Sequence, residues 1–291
     1  MDWIEDQIEW SADGKKVAIG LTRFGAGKNL LLLPALSSIS TRTEMRSLQE
    51  RLGTSFATTA IDWPGFGTLP RPRVDWRPEL YRTFLRFVME SVVQPAATIA
   101  AGHAAGYVLA EAAENPAGFG RLCLLSPTWR GPLPTMTGRR MALFRGLVKA
   151  VDLPLIGSVI YRLNVNSTVI GMMARGHVYA DPTLLTPERM AEKRAVTEAP
   201  GARYASFRFV AGELDPFIDR DAFQESARRI PTKILVAYGG GTPRKSKAEM
   251  TGLASLPDVL TVELPRGKLS FYEEFPDLTR EMIAPFLLES D

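Results

Sequence analysis

One cysteine and two histidines are all that this chain of 291 residues offers of the side chains that most often bind transition metals or take up protons near neutral pH. Cys123 stands alone in the apolar run RLCLLSP, which rules out an internal disulfide or a thiolate cluster and predicts a buried, inert thiol. Long apolar runs are missing too: the longest, from Asn29 to Leu36, falls far short of the roughly 20 residues that a membrane-spanning helix needs. Nor does one sign of charge dominate. A formal net charge of +3, scattered along the chain, gives no electrostatic footprint for nucleic acid, so no nucleic-acid partner is expected. The opening, MDWIEDQIEW, is acidic and amphipathic and lacks the basic start and apolar run of a secretory signal, which makes a cytoplasmic location the expectation.

What is present is the composition of a globular domain, 45% hydrophobic and 23% charged, in a chain long enough for one large core. Four apolar segments read as buried strands: NLLLLPAL (29–36), FATTAID (56–62), ATIAAG (97–102) and RLCLLSP (121–127). Helical patterns separate them in TRTEMRSLQERLG, PELYRTFLRFVMESVV and GYVLAEAAENP. Two further strands, KILVAYGG (233–240) and DVLTVELPRG (258–267), precede a closing helix in DLTREMIAPFLLE. Strands alternating with helices predict an α/β fold whose mostly parallel sheet is covered on both faces. From Pro132 to about Ile230 the pattern changes to helices rich in Met, Leu and Arg, with no convincing strand before RYASFRFVAG. The expected organisation is an α/β core in residues 1–131, a helical cap insertion in 132–230 and the remainder of the core in 231–291.

Residues 98–113, TIAAGHAAGYVLAEAA, have the layout of a strand, a tight glycine turn and a helix, in which a Gly-x-Ser-x-Gly nucleophile elbow presents its serine at the apex. Here the five residues are Gly102, His103, Ala104, Ala105 and Gly106, so the apex position holds alanine. LLLPALSSIS reads as a strand and an oxyanion loop, IDWPGFGTLPRP as an Asp-x-Pro-Gly-x-Gly turn, and LPRGKLSFYEEFP as a Gly-His-type loop before a Glu-containing helix start. With these four places in this order the chain resembles the α/β-hydrolase fold over nearly its whole length, and it is also similar to α/β-hydrolase-like proteins of photosynthetic organisms. The resemblance implies a nucleophile, an acid and a histidine on loops at the carboxyl ends of successive strands. Those positions are filled by Ala104, by Thr242 in YGGGTPRKS and by Lys268 in PRGKLSF. A serine-histidine-acid mechanism needs a base to take the hydroxyl proton and a carboxylate to hold that base, and all three groups are replaced.

What the resemblance leaves is an oxyanion hole, with donors expected from the amides of Ala105 and of Leu36 or Ser37, and with the hydroxyls of Ser37, Ser38 and Ser40 beside them. Trp129, Phe271 and Tyr272 are expected as an apolar and aromatic wall, and His103, His177 and Lys268 as groups that contact a ligand. A ring placed as His103 is, just before the apex, usually packs under the turn against a backbone group, whereas His177, in MARGHVYADP, belongs to the cap. Lys268 becomes a base or an amine nucleophile in an apolar pocket and otherwise swings to solvent or pairs with Glu273. Asp215, in GELDPFID, reads as a turn or cap residue, because it precedes the strand whose end should carry the acid. GGGTP lacks the spacing of a phosphate loop or a dinucleotide fingerprint, and neither cofactor nor metal is expected. TGRRMALFRGLVKAVDLPLIGSVIYRL interleaves Arg139, Arg140, Arg145 and Lys149 with apolar residues and reads either as a cap helix with a solvated basic face or as a peripheral contact for an anionic membrane. The function expected is binding of a small apolar, carbonyl-containing ligand under the cap. The alternative is an enzyme of unconventional mechanism using Lys268, His103 or His177.

Overall fold

A computed structural model describes residues 2–289; Met1, Ser290 and Asp291, at the ends of the expected first and last segments, lie outside the described residues. The strands expected from apolar runs begin at Asn29, yet the sheet begins earlier. β1 (Ile4–Ala12) and β2 (Lys15–Phe24) form an antiparallel hairpin with Ala12 opposite Lys15. Its two-residue turn, Asp13 and Gly14, takes positive φ at both places, 48° and 74°. Such turns follow the twist of the strands they join, and Asp-Gly suits them.

β2 pairs antiparallel with β4 (Phe56–Ile61), and the remaining strands are parallel: β3 (Lys28–Leu33), β5 (Ala97–Ala101), β6 (Arg121–Leu125), β7 (Ile234–Gly239) and β8 (Val259–Leu264). Their order across the sheet is β1-β2-β4-β3-β5-β6-β7-β8. α1 (Arg46–Leu52), α2 (Pro78–Val88) and α3 (Ala104–Ala112) follow β3, β4 and β5. Alternation along β3 divides the core into two layers: Leu31 and Leu33 join Trp63, Phe84 and Val108, while Leu30 and Leu32 join Met45, Leu48 and Ile283.

Between β6 and β7 run α4 (Pro132–Thr137), α5 (Ala142–Val151), α6 (Ile156–Asn164), α7 (Ser167–Met173), α8 (Pro187–Glu198), α9 (Ala202–Ala211) and α10 (Arg220–Arg228). RYASFRFVAG falls in α9. Its Phe207 belongs to a small core with Phe144, Val148, Val151 and Tyr161, whereas Phe209 belongs to the main core. Residues two apart share a face in a strand and lie on opposite sides of a helix, so the pattern needs a helix packed between two cores. α10 returns Phe223 and Ala227 to the main core. α11 (Arg244–Ala254) follows β7, and α12 (Phe271–Glu274) and α13 (Pro276–Leu288) follow β8.

Candidate functional site

β5, ATIAA, is buried along its whole length and ends at Ala101. Gly102 takes a φ of 53°, His103 is already helical at φ −69° and ψ −22°, and α3 begins at Ala104. The apex of the strand-to-helix turn is therefore Gly102, which corrects the expectation of Ala104 by two residues. The physical reason is that left-handed backbone costs about 1–2 kcal/mol once a Cβ is present, and glycine escapes that cost. Gly106 is small for a separate reason: a Cβ there would stand 3.0 Å from Pro216 and 3.3 Å from the Thr128 carbonyl oxygen.

The shift also changes the donors. The Ala105 amide donates to the Gly102 carbonyl at 3.2 Å inside the turn and is not free for a ligand, contrary to expectation. The amide that follows the apex belongs to His103, and among the described residues no acceptor falls to it or to the amides of Leu36 and Ser37. The loop carrying Leu36 and Ser37 is held from several sides. Trp63 Nε1 donates to the Pro34 carbonyl at 2.9 Å, the Ala35 amide donates to Glu44 Oε1 at 2.8 Å, and Ser206 Oγ donates to Ser38 Oγ at 2.6 Å, which ties the loop to α9.

Loops at the carboxyl ends of β5, β6, β7 and β8 touch in series. The Gly102 amide donates to the Leu125 carbonyl at 2.8 Å, the Ser126 amide to Ala237 at 2.8 Å, and the Gly241 amide to Gly267 at 3.0 Å. Thr242 is buried on the third of these loops, and its hydroxyl has no partner among the described residues. Ser126 shares that condition at a φ of 45°; sequence reasoning passed over it, and its only signal is a Ser-Pro pair closing an apolar run. Lys268 is half-buried, and its ammonium donates to the Arg175 carbonyl at 2.6 Å, so it does not stand in a dry apolar pocket. Next to it, the Leu269 and Ser270 amides donate to the carbonyls of His177 and Val178 at 3.3 and 3.1 Å. The structure thus brings His177 and Lys268 together, and partial burial with the Lys268 charge lowers the His177 pKa from its usual 6.5.

His103 lies beneath the turn. Its Nε2 is 3.0 Å from the Leu214 carbonyl, and burial depresses the imidazole to about 4, so the ring is neutral and Nε2–H is the donor. Asp215 sits 3.8 Å from that nitrogen, accepting from the Gly131 amide at 2.7 Å and from Arg140 at 3.2 Å. Burial raises its carboxyl to about 7 in spite of these partners. The expected aromatic wall is not assembled. Trp129 packs in the Leu31 layer and donates to Glu249 at 3.1 Å, whereas Phe271 and Tyr272 pack in the Leu30 layer on the other face of the sheet. Tyr272 donates there to Glu44 at 2.9 Å. Cys123 is buried as a free thiol, its pKa pushed up by burial.

A cavity of about 600 Å³ lies where the loops after β6, β7 and β8 meet the cap. Met136, Met173, Phe209 and Leu269 supply its apolar lining, and Ala248 lies on the α11 side. Arg130, Arg220, Arg244 and Lys245 also line it, with Glu249 as the one carboxylate and His177 at the rim. Arg220 grips Glu249 with two bonds of 2.9 Å, and Arg130 stacks 4.4 Å over Trp129. A larger cleft, about 770 Å³, lies between α6, α7 and the α8–α9 turn and touches none of these loops.

A mostly parallel eight-stranded sheet, a strand-to-helix elbow after β5 and helices inserted after β6 together define an α/β-hydrolase fold. The chain belongs to the alpha/beta hydrolase family, whose model matches residues 30–281. The fold is shared with a probable hydrolytic enzyme from Pseudomonas aeruginosa PAO1 at 13% identity and a TM-score of 0.72, covering 99% of this chain and 95% of that one. It is shared too with the Cif epoxide hydrolase from Acinetobacter nosocomialis at 14% identity and a TM-score of 0.72, covering 98% and 89%. A loop variant of the haloalkane dehalogenase DbeA from Bradyrhizobium elkanii is 14% identical at a TM-score of 0.69, covering 99% and 97%. At such identities the likeness is one of fold. No curated protein matches the chain.

Proposed function

We propose that the protein has lost the serine-acid-histidine triad and binds a small apolar molecule carrying a carbonyl or carboxylate under its cap. The observation that carries this reading is the apex itself: Gly102, at a φ of 53°, has no side chain to attack with. The loops that follow β7 and β8 present Thr242 and Lys268 where an acid and a base would be needed. The neutral His103 is committed to Leu214, and the Lys268 ammonium to Arg175. What these residues leave intact is a cavity of about 600 Å³ with an apolar lining and a surplus of cations, the usual form of a small-molecule site with a few polar anchors. Leu36, Ser37 and His103 do not line this cavity, so the anchors of the proposed ligand are the cavity's own cations rather than the amides of those three residues.

The test has two arms. p-Nitrophenyl butyrate should be hydrolysed no faster than in a protein blank, and octanoate should bind in calorimetry with an affinity that Ala248→Trp abolishes by filling the cavity. A second reading, catalysis by an unconventional base, rests on the proximity of His177 and Lys268. Ester turnover lost in both His177→Ala and Lys268→Met would establish it in place of the first.

A further inference from the structure

We propose that the cap docks on an anionic membrane surface through α5, α6 and the loop between them. The inner faces of the two helices are accounted for: Phe144, Val148 and Val151 of α5 and Tyr161 of α6 pack with Phe207 of α9 in the cap's own core. A helix on a soluble surface turns polar residues outward opposite such a face. α6 instead exposes Ile156, Val159 and Leu163, spaced three and four apart along one outer stripe, and Leu153 and Leu155 extend it through the loop. Eight of the twelve large apolar side chains that are exposed among the described residues fall between Met136 and Met172. Leu155 is the extreme case, 84% exposed at a φ of 60°. A branched side chain is thus held in water on left-handed backbone, which is unfavourable on both counts.

Charge identifies the occupant. Between Pro132 and Val178 the cations are Arg139, Arg140, Arg145, Lys149, Arg162 and Arg175, and the one carboxylate is Asp152, already paired with Arg208 at 2.7 Å. All six are exposed, and Arg140 is engaged by Asp215 at 3.2 Å, which leaves the other five for the surface. A second copy of this face would set like charges against each other, and an acidic soluble partner would leave the leucines uncovered. Anionic lipid satisfies both features: the apolar stripe enters the boundary between headgroups and acyl chains while the cations meet phosphates. No helix among the described residues is long and apolar enough to cross a membrane, so the contact is interfacial.

Co-sedimentation of the full chain with vesicles tests this. Binding is expected to vesicles of phosphatidylcholine with phosphatidylglycerol and to fall about tenfold or more with phosphatidylcholine alone, or when Arg145→Glu and Lys149→Glu are combined. Leu155→Asp with Val159→Asp should abolish binding while leaving the melting temperature unchanged, since both side chains are exposed. Failure to bind anionic vesicles, binding indifferent to both variant pairs, or ultracentrifugation showing a dimer that Leu155→Asp dissociates would overturn the proposal, the last in favour of self-association.

Discussion

Replacing Gly102 by alanine should destabilise the fold by about 1 kcal/mol, and the sign of this change, set beside that of Ala104→Gly, locates the apex of the elbow. At a φ of 53° an added Cβ brings the left-handed penalty of about 1–2 kcal/mol. It would also stand 3.2 Å from the Ala35 Cβ, so the loop after β3 must yield by a few tenths of an ångström. Against this, alanine loses less freedom on folding, which returns about 0.5–1 kcal/mol. Ala104 is buried in the first turn of α3. Removing its methyl forfeits about 0.8 kcal/mol of burial and up to about 1 kcal/mol of helix propensity. Both variants should therefore lower the urea midpoint followed by tryptophan fluorescence, at an unchanged slope. Were Ala104 the strained residue, Ala104→Gly would relieve it; a raised midpoint for that variant, or an unchanged one for Gly102→Ala, would refute the assignment.

Stability should depend on pH in a direction set by two buried carboxyls. Burial, reinforced by the Glu273 charge, raises Glu44 from 4.5 to about 7, and burial raises Asp215 from 3.8 to about 7. The folded state then holds protons that the unfolded chain has released, so stability falls as pH rises from about 4 to 7 and is lowest above that range. His103, depressed to about 4 by burial, acts oppositely only below its usual 6.5. Melting should thus occur at a lower temperature at pH 8 than at pH 6.5, and Glu44→Gln should shrink the difference; an equal or larger difference in that variant would clear Glu44 of the effect. Ser126→Gly relieves a φ of 45° and removes a buried hydroxyl without a partner, and should stabilise by about 1 kcal/mol in thermal melts. A lower melting temperature would show that the hydroxyl is engaged. Glu249→Gln keeps an acceptor for Trp129 while removing the one carboxylate of the cavity lining, so octanoate should bind more tightly, with a gain that shrinks as salt is added. Unchanged affinity would place the carboxylate elsewhere.

The parallel half of the sheet was legible because its strands are buried on both faces and so read as unbroken apolar runs, as LLLL in β3 does. The N-terminal hairpin was harder to read, since β1 exposes five of its first six residues, Ile8 alone being partly covered, and its acidic, amphipathic pattern resembles a surface helix. Asp13-Gly14 between Ala12 and Lys15 was the available signal. The elbow was visible as a strand, a glycine turn and a helix, but spacing alone favoured Ala104. Which residue turns left-handed is decided by backbone sterics and by the end of β5, and neither is written in a five-residue motif. Sequence placed Lys268 after the last strand and His177 in the cap without any means of joining them. The backbone bonds from Leu269 and Ser270 to His177 and Val178 do so. Trp129 and Phe271 share an aromatic character but belong to opposite faces of the sheet, a distinction that depends on where the loops after β6 and β8 lead.

Mass spectrometry of what the protein carries when it is purified from its own cells tests the proposed binding function most directly. Protein denatured after purification should release a small apolar compound bearing a carbonyl or carboxylate, in stoichiometric amount and chemically unchanged by incubation with the native protein. The Ala248→Trp variant, folded but with its cavity of about 600 Å³ obstructed, should release none. Equal recovery from both forms would place the ligand outside this cavity, and conversion of the compound during incubation would make the protein an enzyme.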